Sequence, residues 1–111
     1  NDEKYLEVQK GIKQNEKYLK KLFKLLDDNN IESHLIVYPW PTQIQFGDKR
    51  HATHWEKFSK SNNINFLNLY SLFNKPQKRE TIFNNFIYGD IHWNKNGTNK
   101  IFREILNKIN F

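Results

Sequence analysis

The residues best equipped for chemistry lie in Tyr88-Gly89-Asp90-Ile91-His92-Trp93-Asn94-Lys95-Asn96-Gly97. An acid and a histidine stand two positions apart there, behind a glycine and ahead of a strongly patterned terminal helix. In an extended or loop backbone, side chains at i and i+2 share one side, which places Asp90 to orient and polarise the His92 imidazole. Such a pair makes one ring nitrogen a donor and leaves the other to take a proton from a hydroxyl nucleophile. Asn94 holds the position of an N-cap, fixing where the last helix starts and so where the His92 loop stands. The bland alternative is a loop hydrogen bond between Asp90 and His92 that only caps this helix.

Other combinations are weaker. His51 and His54 fall at i and i+3 of a helical stretch, the spacing that sets two imidazoles near one metal. No third or fourth ligand follows at a persuasive distance and no His-Glu-x-x-His pattern occurs, so a solvated helix face is expected and no metal is assigned. Ser33, Ser59, Ser61 and Ser71 read as turn, cap or surface residues.

The Asp90-Ile91-His92-Trp93 block, with Asn94 and Gly97 behind it, resembles the last conserved block of the SGNH (GDSL-like) hydrolases. The form Asp-x-His-Trp is that of the branch including alginate O-acetylation proteins; other members carry Asp-x-x-His, so the spacing favours acyltransferase-like bacterial branches. Ile36-Val37-Tyr38-Pro39-Trp40-Pro41-Thr42-Gln43-Ile44 resembles the strand and loop that precede this block, and the likeness runs loosely over residues 18 to 111. It implies the carboxyl half of a flavodoxin-like, doubly wound α/β/α domain that acts as an acyl-ester hydrolase or O-acyltransferase. His92 would be the general base, Asp90 its orienting partner, and an upstream serine the attacking group. Trp93 and Gly89 would shape the loop. The implied substrate is a small-molecule or carbohydrate ester, with no cofactor. The family's Gly-Asp-Ser turn and its oxyanion-hole Gly and Asn have no counterpart here. Gly47-Asp48-Lys49 lacks the serine and does not directly follow a strand. The chain alone is therefore expected to be inactive or nearly so.

Positioning falls to an alternation of helices and strands. Residues 3 to 28 form an amphipathic pattern through Tyr5, Val8, Ile12, Leu19, Leu22 and Leu26, which predicts a helix packed on a sheet. Residues 31 to 38 end in a continuous apolar run, predicting a strand buried on both faces. Pro39-Trp40-Pro41 predicts an extended exit. Because active sites of open α/β sheets lie beyond the carboxyl ends of strands, Trp40 is a candidate pocket wall. A helix over 49 to 61 directs Ala52, Trp55 and Phe58 inward, and residues 64 to 69 are a second strand. A long loop with a helical turn near residues 80 to 85 is expected over 74 to 88, where a substrate-shaping element would sit. The last helix, about residues 95 to 108, carries Gly97, Ile101, Ile105 and Ile109 as one stripe.

The order helix, strand, helix, strand, loop, helix is an α/β pattern with a right-handed crossover expected. Two strands leave their edges exposed, which again points to half of a larger sheet, completed by the missing half or by a second copy. The 111 residues make one domain or a fragment of one. With neither an initiator Met nor a signal-peptide pattern, Asn1 is expected to begin a fragment or processed product. The absence of Cys excludes disulfides and thiolate metal sites. No apolar run approaches the roughly 18 to 20 residues that span a membrane. A net charge of +6 invites a nucleic-acid partner, but Lys is spread along the chain among acids and no specific motif appears. A basic module that binds an acidic glycan or nucleic acid without catalysis is the competing function.

Overall fold

The computed structural model describes residues 2 to 110. The chain is mixed α/β and mostly helical: α1 (Asp2–Asp28), β1 (His34–Val37), α2 (Pro41–Phe46), α3 (Arg50–Ser61), β2 (Asn65–Asn68), a 3-10 turn (Tyr70–Leu72), α4 (Lys78–Asn85) and α5 (Lys95–Lys108). The two strands pair in parallel, with Leu35 opposite Phe66 and Ile36 opposite Leu67. Parallel neighbours need a crossover, and α2 with α3 supplies it.

Side-chain alternation along the strands builds two cores. Leu35, Val37 and Phe66 face Ala52, Trp55 and Phe58 of α3, with Leu19 of α1 on the same side. Ile36 and Leu67 face the other way, toward Leu69, Phe73, Phe86 and the α5 residues Ile101 and Ile105. The sheet therefore has helices on both faces. The α3 and α5 stripes are those of the sequence periodicity, with Ala52, Trp55, Phe58, Gly97, Ile101 and Ile109 buried.

Several expectations need correction. The exit from β1 is extended at Trp40, as expected, but the segment that follows is a helix from Pro41 to Phe46 rather than a loop, because proline is tolerated in a first turn. The Gln43 Oε1 accepts the Trp40 backbone N–H at 2.8 Å, closing that turn. Residues 78 to 85 form a full helix where a loop with one turn was expected. The first strand is shorter than residues 31 to 38, and only Val37 in it is buried, since among the described residues neither edge of the pair has a third strand.

α1 is the largest departure. It contains no fully buried residue, and Tyr5, Leu6, Val8, Tyr18, Leu22 and Leu25 are all exposed. A helix of this length spans about 40 Å, close to the longest extent of the chain, 44 Å. The radius of gyration, 15.7 Å, exceeds the about 13 Å of a compact chain of this size. The accessible surface, 8611 Å², likewise exceeds the roughly 6500 Å² expected of a folded monomer. We predict that Tyr5→Ser and Leu25→Ser each change unfolding free energy by less than about 0.5 kcal/mol in denaturant titrations, because neither side chain has a core to leave.

Candidate active site

The loop between α4 and α5 is a tight excursion whose ends are held together. Phe86 and Trp93 form an antiparallel bridge, and the Ile87 N–H donates to the His92 carbonyl at 2.9 Å. The Asp90 N–H turns back to the Ile87 carbonyl at 3.0 Å. Gly89 sits inside that turn at φ +70°, a left-handed conformation that a side chain would strain. The turn delivers Asp90 to His92.

Asp90 Oδ1 accepts two hydrogen bonds from the same residue, the His92 backbone N–H at 3.1 Å and the ring Nδ1 at 2.6 Å. One oxygen thus ties the imidazole to its own backbone. With Nδ1 donating, Nε2 is the unprotonated nitrogen of the neutral ring. The ring is 75% exposed, and Nε2 makes no hydrogen bond among the described residues. Such a ring can accept a proton from a hydroxyl brought to it.

Location follows from Trp93, whose ring lies 4.5 Å from Tyr38, edge to face. Tyr38 is the first residue beyond β1, so the His92 loop stands off the carboxyl end of the sheet. The indole nitrogen of Trp93 is buried without a hydrogen-bond partner among the described residues. Trp93 belongs to the core on the α5 face. Trp40 does not join it: its half-exposed ring borders a cleft of about 220 Å³ with Leu19, Tyr38, His51 and Trp55, on the α1 and α3 face. The structure brings Asp90, His92 and Trp93 together and leaves Trp40 on the other side of Tyr38.

The two helix histidines diverge. His51 Nδ1 bonds the Tyr70 hydroxyl at 3.3 Å, while His54 Nε2 approaches Glu16 of α1 at 3.0 Å. Burial lowers the His51 pKa, with His54 adding to the effect, and burial with nearby Asp48 pushes the Tyr70 phenol up to about 12. Among the described residues no cluster of three or more His, Cys, Asp or Glu is arranged to hold a metal. The serines lie elsewhere: Ser59 is buried in α3, and Ser33 precedes β1 at the opposite end of the sheet. None is hydrogen bonded to His92.

Two carboxylates titrate low. Asp48 accepts Arg50 Nε at 2.9 Å, Nη2 at 2.7 Å and the Arg50 backbone N–H at 3.0 Å, which bring its pKa to about 2. The ring and then the backbone N–H of His92 lower Asp90. A folded pKa below the unfolded value of about 3.9 adds stability above that pH and loses it as pH falls through the folded value. We predict a melting temperature that declines from about pH 4 toward pH 2, with part of that decline removed by Asp48→Asn, as read by thermal melts across the range.

What sequence spacing did not display is the support behind the loop. Asn84 and Asn85 on one side of its neck accept side-chain hydrogen bonds from Asn94 and Asn96 on the other, across ten or more positions. Asn94 itself is the N-cap of α5, accepting the Gly97 N–H at 3.0 Å. Comparison of the chain with family models, curated proteins and solved structures gave no match.

Proposed function

We propose that this chain is the acid–base half of an SGNH-type acyl-ester hydrolase or O-acyltransferase, the carboxyl part of a doubly wound, flavodoxin-like domain. The observation that carries it is the 2.6 Å Asp90–His92 contact, with Nε2 free on a loop beyond the carboxyl end of a parallel pair of strands. The exposed apolar residues of α1, with Phe102 and Leu106 of α5, support the idea that the sheet continues in sequence outside these residues.

In that mechanism, Nε2 takes the proton of a serine hydroxyl as its oxygen attacks the ester carbonyl. The protonated ring then gives that proton to the leaving alcohol as the acyl-serine forms. Water or a sugar hydroxyl attacks the acyl-serine while Nε2 accepts its proton, and serine is restored. Asp90 stabilises the transient imidazolium and keeps Nδ1 as the donor. The oxyanion donors, like the serine, must come from the remainder of the domain.

A second function is favoured by one observation: six exposed lysines from Lys10 to Lys24 share that stretch of α1 with a single acid, Glu16. A basic helix of this kind attracts polyanions. No helix among the described residues is long and apolar enough to cross a membrane.

The deciding experiment reads the coding frame on the amino side of Asn1 and assays the whole product on p-nitrophenyl acetate and an acetylated sugar. A strand followed by Gly-Asp-Ser, with turnover that disappears in His92→Ala, supports the enzyme. A frame without such a turn, together with salt-sensitive polyanion affinity that survives His92→Ala, overturns it in favour of the binding module.

A further inference from the structure

α4 ends and α5 begins in direct contact, and the contact is made by asparagines. A helix end leaves its last carbonyls without donors, and a helix start leaves its first N–H groups without acceptors. Here each end serves the other. The Asn84 carbonyl accepts Asn94 Nδ2 at 3.1 Å and Asn96 Nδ2 at 2.9 Å. The Asn85 carbonyl accepts the Asn94 backbone N–H at 3.0 Å, and the Phe86 carbonyl accepts Asn94 Nδ2 at 3.3 Å.

Asn85 is the hub. Its side chain is 2% exposed, donates to the Thr81 carbonyl at 2.8 Å and accepts Asn96 Nδ2 at 3.2 Å. A buried amide placed this way has its donor and its acceptor both engaged, which is what makes its burial tolerable. Gly97 completes the contact, because a Cβ there would fall against the Asn85 backbone.

Beyond this junction the loop is held by its own backbone bonds and by the Tyr88 ring, stacked on Phe83 of α4 at 5.9 Å. Ile87, Tyr88, Gly89, Asp90, Ile91 and His92 are all exposed. Phe86 and Trp93, at its two ends, are the residues that reach the core.

We infer that Asn85 and Asn96 are positioning residues for His92: with Asn94 and Gly97 they clasp the end of α4 to the start of α5, and the clasp sets where the imidazole stands. Its importance to catalysis rests on His92 being the base proposed above; its geometry does not. Asn96→Asp separates the clasp from ordinary helix stabilisation. A carboxylate in the first turn of α5 suits the helix dipole, yet it cannot donate to the Asn84 carbonyl.

The test uses the 111-residue chain and needs no enzymatic activity. Asn96→Asp and Asn96→Ala are compared with the parent by carboxyl and imidazole NMR titration, amide exchange and circular dichroism. Asn96 is exposed, so both variants are expected to keep their helices. The expected result is loss of at least half of the depression of the Asp90 pKa. Exchange at the Ile87 amide, whose acceptor is the His92 carbonyl, should rise about tenfold or more, the signature of cheaper local opening. Unchanged Asp90 titration and Ile87 exchange in both variants would overturn the clasp, even if the melting temperature fell. Loss of the Asp90–His92 coupling in Asn96→Asp, beside full ester turnover by His92→Ala in the whole product, upholds the clasp and removes only the catalytic role of His92.

Discussion

In the whole product, read as proposed above with a serine nucleophile, His92→Ala is expected to lower kcat for ester turnover about 10²- to 10⁴-fold, the span that a general base commands. The same substitution should leave folding nearly untouched, since the ring is 75% exposed and its hydrogen bond among the described residues is to Asp90. Rate and stability therefore separate cleanly here: about 3 to 5 kcal/mol in the barrier against less than about 0.5 kcal/mol in unfolding. Asp90→Asn provides the finer test. A carboxylate only accepts, so it compels Nδ1 to donate. An amide in its place can present its own N–H to Nδ1, moving the ring proton to Nε2 and blocking the base. The variant should thus lose turnover, while its melting temperature near neutral pH falls only by the small amount that an exposed, depressed carboxylate contributes. Steady-state kinetics beside thermal melts reads both quantities. Full turnover by either variant would mean that the pair only shapes the loop.

Periodicity reveals which side chains want burial, and it served well where a partner element exists. The Ala52, Trp55 and Phe58 stripe and the Gly97, Ile101 and Ile109 stripe both face cores. For α1 the same rule locates an apolar face but not its cover, and Tyr5 and Val8 are exposed on the stripe of which Leu19 is only partly buried. α4 was legible only as one helical turn near residues 80 to 85 because its pattern is weak: its buried residues are Thr81 and Asn85, which are polar. Both side chains bond back to carbonyls four positions earlier, and Asn85 also accepts Asn96 of α5, a contact that no local window displays. At the site, the Asp90–His92 spacing was legible since the pairing is local, an acceptor two residues before its donor. The asparagine clasp was not, because it joins residues 84 and 85 to 94 and 96 through a loop whose closure depends on both helices.

Gly97→Ala should be the most damaging single methyl on the chain. Alanine normally improves a helix by up to about 1 kcal/mol over glycine. At Gly97 the added carbon would lie inside van der Waals contact with the Asn85 carbonyl oxygen, 3.0 Å from the carbonyl carbon and 3.2 Å from Trp93 Cβ. The obstructing atoms are backbone on one side and a core tryptophan on the other, so neither can swing aside as a lysine tip would. Overpacking of this kind costs about 1 to 3 kcal/mol, which exceeds the propensity gain. For a domain whose total stability is about 5 to 15 kcal/mol, that is a large fraction. Relief requires α5 to move off α4, which lengthens the Asn94 and Asn96 contacts to the Asn84 and Asn85 carbonyls. The denaturation midpoint should fall and the Asp90–His92 coupling should weaken together. Gly11→Ala is the control: no atom lies within 4 Å of a Cβ there, so the same methyl should stabilise α1. A Gly97→Ala protein as stable as the parent would mean that the two helices are not held as closely as the clasp requires.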